Sequence, residues 1–149
     1  MKKALLFMAA IFLICSCSSD KDDEELDGKW PPMEWQADFT ATVVKGFYIV
    51  NPEGETLQFS CKNYENPWIA EAMYGDGTII PFNNNSMYTL RGKWFTASIS
   101  GNKLTIVFDK NTELTSRKFS LTVTAGDIFY TFYFSQMQLP SSKTEPQVG

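Results

Sequence analysis

The chain of 149 residues carries 17 acids against 13 bases, three cysteines and no histidine, a size that allows one domain of ordinary dimensions once any targeting segment is set aside. Without histidine the commonest general base, the serine triads and most zinc sites drop out, so the expectation is a non-catalytic protein with no cofactor and no metal. Residues 1–27 hold six of the acids and three of the bases, which leaves 11 against 10 in the remainder; a body this close to neutral lacks the basic surplus that a phosphate backbone demands, and no nucleic-acid partner is expected.

Lys2 and Lys3 precede an apolar run of 11 residues, 4–14, too short for a bilayer core of ~30 Å, which takes about 20 residues to cross. The run reads as a secretion signal. Ile14-Cys15-Ser16-Cys17 then places an aliphatic residue three before, and a small residue directly before, a cysteine. This resembles the bacterial lipobox, which implies cleavage before Cys17 and diacylation of its thiol. Cys17 fits the pattern better than Cys15, which follows the bulky Ile14; the competing reading is an ordinary signal peptide that happens to contain cysteines. Several acyl chains, at ~0.8 kcal/mol per buried CH₂, would anchor the mature protein firmly. Residues 18–25, SSDKDDEE, are too poor in apolar side chains to fold. They read as a tether, and their position and acidity resemble the export signal of Bacteroidetes surface lipoproteins, which implies the outer face of the outer membrane; a plain linker is the competing reading. The expected organisation is a signal over 1–16, a tether over 17–29, a domain over 30–138 and a flexible tail over 139–149. With Cys17 lipidated and Cys15 removed, only Cys61 remains, so stability must come from a core and not from a disulfide.

In the body, residues 27–36 read DGKWPPMEWQ. The prolines impose extended geometry and remove donors, as in a lead-in along a sheet edge, and Trp30 and Trp35 are expected to cap one end of the core, with a place on the surface as the competing reading. Residues 37–43 alternate weakly and read as a first strand, 46–50 as a second. Asn51-Pro52-Glu53-Gly54 is a strong turn. Over 56–62, Leu57, Phe59 and Cys61 share one face, which makes Cys61 a small buried hydrophobe; a nucleophilic thiolate would need a base or cationic neighbourhood. Residues 68–74, WIAEAMY, read as strand because the run is short, follows Asn66-Pro67 and ends at Gly75-Asp76-Gly77. The following 75–92, GDGTIIPFNNNSMYTLRG, is the least regular part of the body, and long connections are commonly functional or disordered.

From 94 to 136 the pattern is unambiguous. Phe95, Ala97 and Ile99 share a face, as do Leu104, Ile106 and Phe108, with Gly101-Asn102 as a two-residue hairpin turn between them. Phe119, Leu121 and Val123 alternate with polar residues, and a turn at Ala125-Gly126-Asp127 leads to a strand apolar on both faces, Ile128, Tyr130, Phe132 and Phe134 against Phe129 and Tyr133. That strand is expected to be central, or to bind something on its outer face. Asp109-Lys110-Asn111-Thr112-Glu113 has the alternating oxygens of a calcium loop's start, but Leu114 stands where the motif needs glycine and no closing glutamate follows. It reads as a connection. Short strands with turn signals every 8–12 residues and no helix give an all-β fold, an immunoglobulin-like antiparallel β-sandwich of about 7–9 strands.

Trp94, Gly101-Asn102, Leu104-Thr105-Ile106, Asn111, Arg117, Gly126 and Ser135-Gln136 together resemble the BACON domain, found on exported Bacteroidetes proteins and often at the N-terminus of carbohydrate-active ones. The likeness covers about 43 residues and implies a small sandwich that binds carbohydrate or mucin, or acts as a spacer. With no catalytic domain after Gln136, a stand-alone surface module is expected.

The 4 Trp, 6 Tyr and 12 Phe exceed what one small core consumes, so some should be exposed, and sugar rings stack on aromatic faces while amides read their hydroxyls. The candidate platform combines Tyr64, Trp68, Tyr74, Tyr88 and Trp94 with Asn83, Asn84 and Asn85; for Trp68 and Trp94 a place in the core is the competing reading. Glu71 and Asp76 flank the same segment but read as surface acids. The expected partner is a carbohydrate, or an outer-membrane protein that handles one, with contact to the membrane through the lipid alone. A structural or protein-interaction module without its own ligand is the alternative.

Overall fold

The computed structural model describes residues 30–83 and 85–141; the signal, Cys17, the tether, Asn84 and the last eight residues lie outside the described residues. The strands are β1 (Trp35–Ala37), β2 (Val43–Val44), β3 (Phe47–Val50), β4 (Thr56–Cys61), β5 (Trp68–Tyr74), β6 (Thr89–Arg91), β7 (Phe95–Ser100), β8 (Lys103–Phe108), β9 (Arg117–Thr124) and β10 (Phe129–Gln136). They form two five-stranded sheets, ordered β1-β4-β8-β7-β6 and β2-β3-β10-β9-β5. All neighbours pair antiparallel except β3 and β10, which run parallel, Tyr48 opposite Phe134 and Val50 opposite Gln136. Ten strands exceed the expected range because three of them are only two or three residues long.

Period-two alternation builds the core. Leu57, Phe59 and Cys61 of β4 are buried while Thr56 and Gln58 are exposed, and β8 follows the same rule with Leu104, Ile106 and Phe108 inward. Side chains from the two facing sheets then interdigitate. Phe95 stacks on Phe119 with centroids 3.7 Å apart and Phe59 meets Phe132 at 4.8 Å across the two sheets, while Phe119 stacks on its cross-strand neighbour Phe134 at 4.9 Å. Each such phenyl withdrawn from water contributes about 1.5–3 kcal/mol. The central position of β10, between β3 and β9, accounts for its run of apolar residues; its outer face still leaves Phe129 and Tyr133 exposed.

The structure departs from expectation where alternation is weak or turns dominate. The strand over 37–43 does not exist as one element: β1 pairs with β4, the chain bends, and β2 pairs with β3 in the other sheet. Phe39, edge-on to Phe59 at 5.4 Å, and Asp38, which accepts from the Ser60 hydroxyl and pairs with Lys103 at 3.3 Å, hold that crossing. Trp30 is exposed and Met33 fills the buried place instead, whereas Trp35 packs edge-on against Phe132 at 5.2 Å. β6 lies inside the segment taken as irregular. The core also uses more aromatics than expected, and Phe7 and Phe12 lie outside the described residues. Gly54 closes the turn into β4 at φ +87°, and a Cβ there would sit 2.5 Å from the Phe108 carbonyl oxygen, so both the left-handed backbone and the close approach require glycine.

Candidate functional site

The last residues of β3, β5, β6, β8 and β10 and the first of β4, β7 and β9 meet at one end of the sandwich. Inside this end is a polar clasp. Arg117 donates from Nε to Gln136 Oε1 at 2.8 Å and from Nη2 to the Asp109 and Lys110 carbonyls at 2.9 and 3.1 Å. Fully buried Gln136 donates in turn to the Asn51 and Asp109 carbonyls at 3.0 and 2.8 Å. Asn111, also fully buried, donates to the Thr115 and Met137 carbonyls and accepts from the Glu113 amide. The Arg117 guanidinium lies 4.5 Å from the centre of the Trp94 ring, a cation–π contact. Burial pulls the Arg117 pKa below its ordinary range, and the charges of Glu113 and Asp109 act the other way. Trp94, Asn111, Arg117 and Gln136, four of the residues behind the BACON resemblance, are therefore occupied in holding the sandwich closed. The 109–113 segment likewise spends its amide side chain inward, and no cluster of three metal-ligating residues exists among the described residues.

On the outside of the same end, Tyr74 lines three clefts of about 660, 380 and 360 Å³. The local sequence places it there. Asp76 Oδ1 accepts from the Thr78 amide at 2.9 Å, the Gly77 amide donates to the Tyr74 carbonyl at 2.9 Å, and Ile79 bridges back to Met73, so the chain reverses tightly just past the ring. The backbone and side-chain bonds from Thr78 hold the Asp76 carboxyl below its ordinary value. Gly75 lies so close to β9 that a Cβ would come 3.0 Å from that of Lys118, which brings this lysine over the edge of β5. The Tyr74 hydroxyl accepts from the Lys93 amide at 2.6 Å, and the Lys93 ammonium sits 5.4 Å from the ring centre. The largest of the three is lined by Tyr74, Asp76, Lys93, Trp94, Glu113, Arg117 and Lys118. A second, on the outer face of the β5 sheet, is lined by Phe47, Met73, Lys118, Ser120 and Tyr133.

The expected platform does not form one surface. Tyr74, Trp94 and Asn83 lie at this end, Asn83 donating to the Arg91 carbonyl at 3.2 Å. Trp94 is 8% exposed and its face is covered by Arg117, so it belongs to the core and is no open stacking face. Tyr64, Trp68 and Tyr88 lie toward the opposite end. Tyr64 donates its hydroxyl to the Pro31 carbonyl at 2.6 Å, Trp68 opens β5 opposite Thr124 and is partly buried, and Tyr88 is exposed beside the Ile99 amide that its carbonyl accepts. Asn85 occupies the left-handed region at φ +44° and is exposed, a backbone state asparagine tolerates; Asn84 falls outside the described residues. The cations were missed as a group, although Lys93 stands just before β7 and Arg117-Lys118 open β9, two strands that start at the same end.

Two facing sheets, antiparallel but for the β3–β10 pair, closed over an aromatic core define an immunoglobulin-like β-sandwich. No family model matches the chain, and no curated protein matches it. Among solved structures it is similar to an NMR structure of a protein from Bacteroides thetaiotaomicron, with 30% identity over 75% of this chain and 92% of that one and a TM-score of 0.64. The chain belongs to one family with that protein.

Proposed function

We propose that the protein is a non-catalytic, BACON-like surface lipoprotein that binds glycan, or a partner handling glycan, at the end of the sandwich built around Tyr74. The observation that carries this reading is the meeting of three clefts on one tyrosine flanked by cationic, carboxylate and amide side chains, the mixture of apolar face and polar edge that saccharides engage. The lead-in at residues 31–35 is bound near Tyr64 and Cys61, at the far end. An eight-residue strand separates the two ends by about 25 Å, so a tether anchored through Cys17 to the outer membrane would leave the Tyr74 end pointing away from the lipid.

A glycan array probed with the full chain tests the reading. Polysaccharide or mucin glycans should bind, and Tyr74→Ala should weaken them at least about tenfold, the loss of one aromatic stacking contact, with Asn83→Ala giving a smaller loss should the first variant unfold. Absence of any glycan binding by the wild type overturns it. Cys17→Ala should release the protein from the membrane fraction, and persistence there would sink the lipid anchor.

A second reading, a protein-docking module without its own ligand, is favoured by the connection from β5 to β6. Ile79, Met87 and Tyr88 are 62%, 51% and 46% exposed along it, and exposed apolar side chains strung along one connection suit a protein contact surface. Partner capture abolished by Ile79→Asp, with glycan binding absent, would select it.

A further inference from the structure

Charge is unevenly divided over the sandwich. The three clefts around Tyr74 are lined by four bases, Arg91, Lys93, Arg117 and Lys118, against two acids, Asp76 and Glu113. The rest of the described residues carries four bases against eight acids. The ion pairs found among the described residues, Lys103 with Asp38 and Lys110 with Glu53, use none of the four. Lys93 and Lys118 instead lie over the rings of Tyr74 and Phe47, 5.4 and 4.9 Å from their centres, where a cation keeps its full capacity to donate hydrogen bonds. Arg117 is held by bonds through Nε and Nη2, which leaves the two Nη1 donors without a protein acceptor among the described residues. Its position is set before any ligand arrives, so little side-chain entropy remains to be lost on binding.

We infer that the largest cleft, lined by Lys93, Arg117 and Lys118, takes an anionic saccharide, one carrying a carboxylate or a sulfate; the inference rests on the glycan reading above. The cations fix the acid group. Asp76 and Glu113 on the same lining repel a bare multivalent anion but accept hydrogen bonds from sugar hydroxyls, and Ser116 adds a hydroxyl of its own. A volume of about 660 Å³ lies within the ~300–1,000 Å³ of small-ligand sites.

Isothermal titration of the full chain in detergent compares tetragalacturonate, a sulfated chondroitin tetrasaccharide, neutral cellotetraose and inorganic sulfate. Binding of either charged oligosaccharide, weakened several-fold between about 20 and about 300 mM salt, supports the inference. Lys93→Gln and Lys118→Gln should each weaken that binding about tenfold, as the loss of a charged hydrogen bond does, with thermal unfolding unchanged. Lys62→Gln, at the opposite end, should leave it intact. Cellotetraose binding as tightly as the charged sugars, with no salt dependence, overturns the anionic inference and leaves the glycan reading standing. Inorganic sulfate binding as tightly as the sulfated oligosaccharide also overturns it, since the site would then read charge alone. Binding by none of the saccharides overturns both.

Discussion

Both ends of the sandwich carry aromatic residues and use them differently. At the Tyr74 end the rings of Tyr74, Trp94 and Phe119 continue the core outward, Trp94 lying 6.3 Å from Tyr74 and 5.4 Å from Phe119, and cations rest on the first two. At the other end Tyr64 and Trp35 serve the lead-in: one binds the Pro31 carbonyl, the other meets Phe132 edge-on. The first arrangement spans both sheets and fixes the geometry of clefts. The second fastens one segment. An aromatic side chain in a small sandwich thus takes its role from what the neighbouring strand termini present to it, and here only the Tyr74 end rests cations on its rings.

Substitutions sharpen this contrast, beginning with the largest expected effect. Trp94→Ala removes a buried ring that touches Phe95, Phe108 and Phe119 and uncovers Arg117; chemical denaturation should show a loss of about 3–5 kcal/mol. Gln136→Ala strands the part-buried Arg117 Nε–H and takes one of two donors from each of the Asn51 and Asp109 carbonyls, and the same measurement should lose about 2–3 kcal/mol. Tyr64→Phe deletes one hydrogen bond to the lead-in and should cost about 1 kcal/mol, with glycan affinity unchanged. Equal losses for Trp94→Ala and Tyr64→Phe would erase the distinction between a load-sharing end and a fastening end.

Much of the scaffold was legible from period two alone. β4, β7, β8 and β9 fall where alternation is clean, because one face of each is buried and a slip of one residue would turn the whole apolar set outward, and β10 follows the turn at Ala125-Gly126-Asp127 with apolar residues on both faces. β5 was legible from its bounding Asn66-Pro67 and Gly75-Asp76-Gly77. β1, β2 and β6 were not, being two or three residues long; such pieces are specified by their partners and not by their own pattern. The site was less legible than the fold. Tyr74 and Asn83 were singled out from composition, but Lys93, Arg117 and Lys118 come together through the pairing of β5 with β9 and the stacking of two sheets, which no local spacing encodes. Trp94 was the ambiguous case, and Arg117, 23 residues later in sequence, settles it by covering the ring.

The parallel pairing of β3 with β10 sets the order of events during maturation. Residues 47–50 have no β10 neighbour until residues 134–136 are present, so one sheet stays open along that seam while almost the entire domain is synthesised. Contacts spanning so much of the chain belong to the slow class of topologies, folding in roughly milliseconds to seconds. The final strand therefore acts as a latch: until it docks between β3 and β9, the sheet it completes stays in two pieces.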